Sequence, residues 1–409
     1  MEIRFEKIFG QKIRKDFAFF KNNPKYIYLD SSLTSLKPKI IGETLRDFYN
    51  EDISTLERSK NKLISKTNKK YYAAIKTIED FINADKDEII ITSGTTDGIN
   101  KLVKSLVYEM NDGDEVIIGE LEHSSLVLPW LANIKSSKKK IKIVWYKLNN
   151  YQIDLIDLKK IVNNKTKVIA MAGVYNTTGV LNEPENVRKI VGDKVKIILD
   201  AAQMAGHYPI DVKKLQIDYL VFGAHKVFGP NGVGIIWAKK DLLVQMEPFE
   251  YGGGMNITYD HHNFKNSLIP DKFMAGTPNV ANVIGMAQGI KWISQYDLTK
   301  VSMYNSDLKL YAEMKLKPYK NIIILNPKVV SSNLLIKIDN VNAQDVSFYL
   351  EQNNIFARPG SSCVKIVNDI FDGKTTIRFS FHLYNKRSDV DYFCDKLITG
   401  GDFIDEYFR

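Results

Sequence analysis

Two charged residues stand where apolar strands should end. Lys226 lies in FGAHKVFGPNGVG (222–234), directly after the apolar stretch IDYLVF (217–222), beside a histidine and among four glycines. A lysine is a poor resident of a buried strand end unless something holds its amine. Asp200 follows the apolar, β-branched run of ILDAAQ (198–203). A carboxylate there is largely desolvated and needs a positive partner. A third segment, SGTTDGIN (93–100), ends a strand and opens a helix at Thr95 and Thr96. Free N–H groups at a helix start, with two hydroxyls beside them, suit an anionic phosphate, and an ordinary hydroxyl cap reads the same way. The chain has two cysteines, Cys363 and Cys394. Two cannot build a disulfide framework, no spacing suggests zinc, and no metal is expected, so one of them is a candidate working thiol.

Taken together, an acid for a protonated ring nitrogen, a lysine for an aldehyde and a helix start for a phosphate form one set. Pyridoxal 5'-phosphate (PLP) demands that set. Asp200 by itself reads equally as a helix cap. Neither GxGxxG nor GxxxxGK[ST] is present, so dinucleotide and nucleoside triphosphate sites lack support.

These residues need strands to carry them. EIIITSG (88–94), DEVIIG (114–119), KIVWYKL (142–148), KVIAMAGV (167–174), KVKIILDAAQ (194–203), IDYLVF and VGIIWAKK (233–240) alternate with amphipathic, helix-like stretches. That alternation predicts an α/β fold with a mostly parallel sheet, in which ligands bind at the carboxyl ends of the strands. After about residue 295 the pattern changes. NLLIKID (333–339), DVSFYLEQNN (345–354), IFARPGSSC (355–363) and TTIRFSFHLYN (375–385) suggest a smaller α+β domain. The expected division is 21–295 for the large domain and 1–20 plus 296–409 for the small one. A length of 409 residues accommodates both. No run of roughly 18 apolar residues suggests a transmembrane helix. The start, MEIRFEKIFGQKIRKDF, mixes both charge signs and does not read as a secretory signal, so the expected place is the cytoplasm and no membrane is involved. The net charge of +9 comes from scattered basic runs without interleaved aromatics, and no nucleic acid partner is expected.

The motifs, in order along nearly the whole chain, resemble the fold-type I PLP enzymes of the class V aminotransferase group. Within it they look most like the sulfur-mobilisation type (group II) cysteine desulfurases. The resemblance is carried by YLDSSLTSLKP (28–38), SGTTDGIN, LEHSSLVLPW (121–130), YNTTGV (175–180), LDAAQMAGHYPIDVKK, the Lys226 segment, YGGGMNI (251–257), MAGTPNV (274–280), ARPGSSC (357–363) and IRFSFHLYN (377–385). It implies a homodimer acting on L-cysteine and passing sulfur to an acceptor or scaffold protein. It gives Lys226 the covalent attachment of PLP, Asp200 the ring nitrogen, Gln203 the ring hydroxyl, and His123 the ring face and proton movement. Thr95, Thr96 and His225 would hold the phosphate, and Thr277 would reach the phosphate of the other subunit. Asn176 and Arg378 would hold the substrate carboxylate, and Arg358 would assist or shape the cysteine loop. Cys363 would be the nucleophile that becomes a persulfide, with Arg358 and Lys365 favouring its thiolate and Gly360 and the serines allowing movement. Cys394, in VDYFCDKLI, reads as a small buried apolar side chain. Plainer roles compete: a loop histidine for His123, an exposed strand residue for Arg378, a structural thiol for Cys363.

The chain departs from the family at several points. Gly223 stands where the family's phosphate site has a serine. Ser361 and Ser362 replace two histidines before the cysteine, Ser124 replaces a second histidine after His123, and LERSKNKLIS (56–65) has no histidine. Iron–sulfur cluster assembly is the expected destination of the sulfur, with transfer-RNA thiolation open. The competing readings are a related lyase or aminotransferase, selenocysteine lyase included, and a non-catalytic scaffold that binds sulfur acceptors.

Overall fold

The computed structural model describes residues 2–52, 55–56, 61–360, 363–364 and 376–400. The chain divides into two compact units, one of residues 40–173 and 182–295, the other of 1–39, 174–181 and 296–409.

The larger unit is built on seven strands: β1 (Ile89–Thr92), β2 (Glu115–Gly119), β3 (Lys142–Tyr146), β4 (Thr166–Ala172), β5 (Lys196–Asp200), β6 (Tyr219–Gly223) and β7 (Gly234–Ala238). They lie in the order β1-β7-β6-β5-β4-β2-β3. Only β7 runs against its neighbours, pairing antiparallel with β1 and β6. The others point one way, so their carboxyl ends share one edge. Near-continuous apolar runs fit a sheet covered on both faces. On one face, Ile118, Val168, Ile198, Val221 and Ile236 pack with Ile99, Leu102 and Leu106 of a helix at Thr95–Glu109, and with Leu126 and Trp130 of a helix at Ser124–Ser137. On the other, Phe81 of the helix Lys62–Ile82 meets Phe222, with ring centroids 6.4 Å apart. These three helices, with Val280–Ile293, are α1 (62–82), α2 (95–109), α3 (124–137) and α4 (280–293).

The smaller unit holds a four-stranded antiparallel sheet: β8 (Ile322–Ile324), β9 (Asn333–Ile338), β10 (Arg358–Pro359) and β11 (Ile377–Ser380), ordered β8-β9-β11-β10. Helices α5 (Leu298–Leu316), α6 (Ala343–Gln352) and α7 (Arg387–Thr399) belong to it. Its limits differ from the sequence expectation. Residues 21–39 sit here because Ile27–Tyr28 pairs in parallel with Ile355–Phe356 and Asp30 bridges to Ser380. The loop 174–181 sits here because the carbonyls of Asn176 and Thr178 accept from Asn333 Nδ2 and Asn326 Nδ2, at 3.0 and 3.1 Å. No described helix is long and apolar enough to cross a membrane.

Helix α2 approaches the sheet closely at Gly98, where an added Cβ would lie 2.6 Å from Val221 Cγ1 and 3.2 Å from Ile236 Cγ1. Alanine improves helix propensity by about 1 kcal/mol at most, whereas overpacking costs about 1–3 kcal/mol. Gly98→Ala is therefore expected to lower the denaturant midpoint of the protein. An unchanged or raised midpoint would mean that α2 moves off the sheet without cost.

Candidate active site

Asp200 is the last residue of β5 and is buried. Its Oδ1 accepts the backbone N–H of Ala202 at 2.9 Å. Burial pushes this carboxyl above the ordinary range, and the Ala202 N–H and the charge of Lys226 pull it back. Lys226 closes a single 3-10 turn, Ala224–Lys226, immediately after β6, the neighbour of β5. The Ala224 carbonyl accepts from both Val227 and Gly229, each at 2.9 Å. The next residue, Phe228, holds φ 61, a left-handed conformation costly for a bulky residue. Its buried ring packs 4.7 Å from that of Trp292 on α4, which supports the strained turn. The lysine is thus placed by a rigid corner, and its charge reaches Asp200.

The phosphate candidates lie along the same edge. Thr95 begins α2, and its buried hydroxyl has no hydrogen-bond partner. A Cβ added at Gly223 would lie 3.3 Å from Thr95 Oγ1, 3.4 Å from Thr95 N and 3.4 Å from His225 Cδ2. Gly223 therefore lies close beside an N–H, a hydroxyl and an imidazole edge. Those donors suit a phosphate at a helix start, so the residues present fit the phosphate end of PLP as Asp200 and Lys226 fit its ring. Thr96 is exposed, and its Oγ1 lies 2.8 Å from Ser125 Oγ on α3. The Ser125 N–H in turn donates to His123 Nδ1 at 3.1 Å, where His123 caps α3. With Nδ1 accepting, a neutral His123 carries its proton on Nε2. Gln203 is buried three residues beyond Asp200, and Thr277 is exposed before α4.

The smaller unit holds the rest. Arg378, on β11, is buried rather than on an exposed strand face. Its Nη2 pairs with Asp30 Oδ1 at 2.8 Å and its Nη1 donates to the Asn176 carbonyl at 2.8 Å, while Nε is buried without a partner. Burial pulls this guanidinium down, Asp30 supports it, and Arg358 opposes it. Arg358 stands directly across from Arg378 in the β10–β11 register. Like charges facing each other across strands are unfavourable, and an anion relieves them. Cys363 is exposed and holds φ 62. Cys394 is buried on α7, and burial pushes its thiol far up, which makes it an inert packing residue. Ser361, Ser362, Lys365 and residues 57–60 lie outside the described residues.

Two buried groups escaped the sequence reading. His207 is pushed down to about 4 by burial and by Lys226, so it stays neutral within reach of the Lys226 charge. Glu122 is pushed up to about 8 by burial. Both lie inside motifs quoted above, LDAAQMAGHYPIDVKK and LEHSSLVLPW. A charged or polar letter between apolar ones was the available signal. Among the described residues no cluster of His, Cys, Asp and Glu is placed to hold a metal ion.

Comparison with known proteins agrees with this arrangement. The aminotransferase class-V family matches residues 27–393. A probable cysteine desulfurase of Ureaplasma parvum serovar 3 is 35% identical over 379 residues, covering 92% of this chain and 94% of that protein. A cysteine desulfurase of Wigglesworthia glossinidia brevipalpis is 31% identical over 406 residues, covering 96% and 98%. The apo structure of a cysteine desulfurase from Thermococcus onnurineus NA1 superposes with a TM-score of 0.91 at 28% identity, covering 98% of this chain and 99% of that one. Cysteine desulfurase CsdA of Escherichia coli superposes with a TM-score of 0.88 at 28% identity, covering 96% and 98%. With matching motifs, a matching sheet and a match over nearly its whole length, the chain belongs to the class V aminotransferase family.

Proposed function

We propose that this chain is a PLP-dependent cysteine desulfurase of the sulfur-mobilisation type, converting L-cysteine to L-alanine and leaving the sulfur on Cys363. The observation that carries the reading is the pair formed by Asp200 and Lys226: a buried carboxylate in electrostatic contact with a lysine, on adjacent strand ends. The cysteine desulfurase relatives support the choice of reaction within the family.

Each residue has a task in that reaction. Thr95, Thr96 and His225 bind the phosphate, and Gln203 binds the ring hydroxyl. Asp200 is an acid that burial would neutralise unless a cation faces it, so it favours a protonated ring nitrogen. Bound PLP supplies the sink for the electron pair left when the substrate Cα loses its proton. Lys226 Nζ takes that proton as general base, and His123 Nε2 would move protons at the ring face. Asn176 and Arg378 hold the substrate carboxylate. The free Nε of Arg378 and the opposed charge of Arg358 support an anion there. The Cys363 thiolate attacks the substrate sulfur: one S–S bond forms, the substrate C–S bond breaks, and a proton returns to carbon to give alanine. Persulfide on an exposed residue is accessible to an acceptor protein, with iron–sulfur assembly as its destination. We place the enzyme in the cytoplasm as a homodimer, with Thr277 reaching the partner's phosphate.

L-cysteine with the holoenzyme and a reductant should yield alanine and sulfide in equal amounts. Without reductant, mass spectrometry should find one extra sulfur on Cys363. Cys363→Ala should keep the cofactor absorbance and lose at least about a hundredfold in turnover. Sulfide release at the wild-type rate from that variant would remove Cys363 from the mechanism.

Gly223 offers a second test. Its φ and ψ, −106° and 146°, are open to any residue, and the nearest obstacle to a Cβ is the end of the Thr95 side chain. Gly223→Ser is expected to restore one hydrogen bond to the phosphate and tighten PLP binding by about tenfold. Titration of the apoprotein by absorbance measures it. Weaker binding would show that Thr95 cannot yield the few tenths of an ångström required.

A further inference from the structure

Glu122 lies in the turn between β2 and α3, one residue before His123, and only 2% of it is exposed. Its Oε1 is 2.6 Å from Tyr146 Oη, and its Oε2 accepts the Ala172 N–H at 3.0 Å. Tyr146 is the last residue of β3 and Ala172 the last of β4, in register with Asp200 on β5. The backbone takes part too: Gly119, which ends β2, accepts from the Glu122 N–H at 3.4 Å. Gly119 faces Tyr146 in the β2–β3 register, and a Cβ there would lie 2.2 Å from Tyr146 Cζ. The glycine makes room for the tyrosine ring whose hydroxyl reaches the glutamate. One residue, through two carboxyl oxygens and its backbone N–H, thus gathers three strand ends at the point where the chain turns to present His123.

We propose that Glu122 is a positioning residue for the reaction: its carboxyl ties the ends of β3 and β4 to the turn that carries His123 and so fixes that imidazole. This rests on the reading of His123 as the histidine against the cofactor ring. The far side of the same turn is held by the Ser125 N–H on His123 Nδ1, so the imidazole is fixed from both directions. Mere packing does not call for a carboxyl, since a buried acid is generally less stabilising than an apolar residue of similar size. The charge state fits the role. The titratable groups around Glu122 are Tyr146 from β3, Asp200 from β5 and its neighbour His123. Burial, with a smaller push from Asp200, outweighs the Tyr146 and Ala172 bonds and raises the carboxyl to about 8. Glu122 is therefore uncharged at neutral pH and leaves the positive charge of Lys226 to Asp200. The sign for stability follows. The folded protein binds this proton more tightly than the unfolded chain, so the contribution is complete below the ordinary value of 4.5 and lost as pH rises through about 8.

The test compares Glu122→Gln, Glu122→Ala, Tyr146→Phe, His123→Ala and the double variant Glu122→Ala/His123→Ala. Two quantities are read: alanine formation from L-cysteine, and the thermal midpoint of the apoprotein across the same pH range. His123→Ala should lower kcat by about a hundredfold. Glu122→Ala should lower it by about tenfold or more through misplacement of the imidazole. Glutamine keeps an acceptor and a donor in place and should restore kcat to within about threefold of wild type. In the double variant the Glu122 change should cost nothing further, because its effect passes through His123. The midpoint of Glu122→Gln relative to wild type should rise between about pH 5 and 8, where the unfolded wild type has lost a proton that folding must take up again. Wild-type kcat in Glu122→Ala, beside a crippled His123→Ala, overturns the inference alone, as do additive losses in the double variant. A flat midpoint difference overturns the uncharged state assigned to Glu122, while the kcat comparisons decide its positioning role. Wild-type kcat in His123→Ala overturns the His123 reading and this inference with it. If Glu122→Ala does not fold, Tyr146→Phe carries the test: it removes one anchor, and its loss of kcat must vanish in the His123→Ala background.

Discussion

A carboxylate buried at the end of a parallel strand must be met by positive charge or give up its own. Asp200 is in that position, and the composition of its surroundings follows from it. Burial raises its carboxyl, and Lys226 opposes that rise. Two other buried titratable groups are kept neutral by the same burial: Glu122 as an acid pushed up, His207 as a base pushed down. An ionised Glu122 would repel Asp200, and a protonated His207 would repel Lys226. With both silent, Asp200 and Lys226 are left to answer each other on the edge where β5 and β6 end. That is the charge pattern of a group that brings a protonated ring nitrogen and an aldehyde.

The smaller unit solves the opposite problem. Arg378 and Arg358 face each other across β11 and β10, and Arg378 is buried. One carboxylate, Asp30, and one peptide carbonyl, Asn176, serve it, and Nε is left over. Asn333 holds the Asn176 carbonyl in place from β9. A buried guanidinium with an unused donor beside a second arginine is incomplete without an anion. The loop 174–181 is held by this chemistry as well as by packing: its carbonyls are spent on Arg378, Asn333 and Asn326.

The strand-end residues could be read in the sequence because each one interrupts an apolar run. Lys226, Asp200 and the Thr95–Thr96 pair break the pattern at the positions where parallel sheets bind ligands. The same alternation gave the order of the strands along the chain but not their limits as units. Residues 21–39 and 174–181 look like parts of the larger domain because their neighbours in sequence are there. Their bonding partners, Ile355, Ser380, Asn333 and Arg378, lie more than a hundred residues away. Glu122 was missed for a related reason. Between a strand and a helix a glutamate is ordinary, and nothing local points to Tyr146 or Ala172, 24 and 50 residues on. Gly119 is ordinary too, until Tyr146 is seen to lie over it. Arg378 fits strand alternation as an exposed residue, but all four residues of β11 are buried, so alternation there carries no information about exposure.

The two cysteines show how burial sorts residues by task. Cys394 sits inside α7 with its thiol pushed far up, where neither a substrate nor an acceptor could use it. Cys363 is exposed, on a residue held at φ 62. Groups that move protons gain from burial, because a desolvated acid or base stays in one charge state and one orientation until the reaction asks otherwise. A residue that must take sulfur from one molecule and give it to another cannot be buried at both moments. The chain meets these demands on different elements. The residues proposed to handle protons, Lys226 and the half-buried His123, follow strands of a sheet covered on both faces. Cys363, the residue proposed to carry sulfur, lies in the chain between β10 and β11 of the smaller unit and is exposed. An enzyme that only needed to break the substrate C–S bond would have no use for the second arrangement. On the proposed function, an exposed thiol favours transfer of the sulfur over its release.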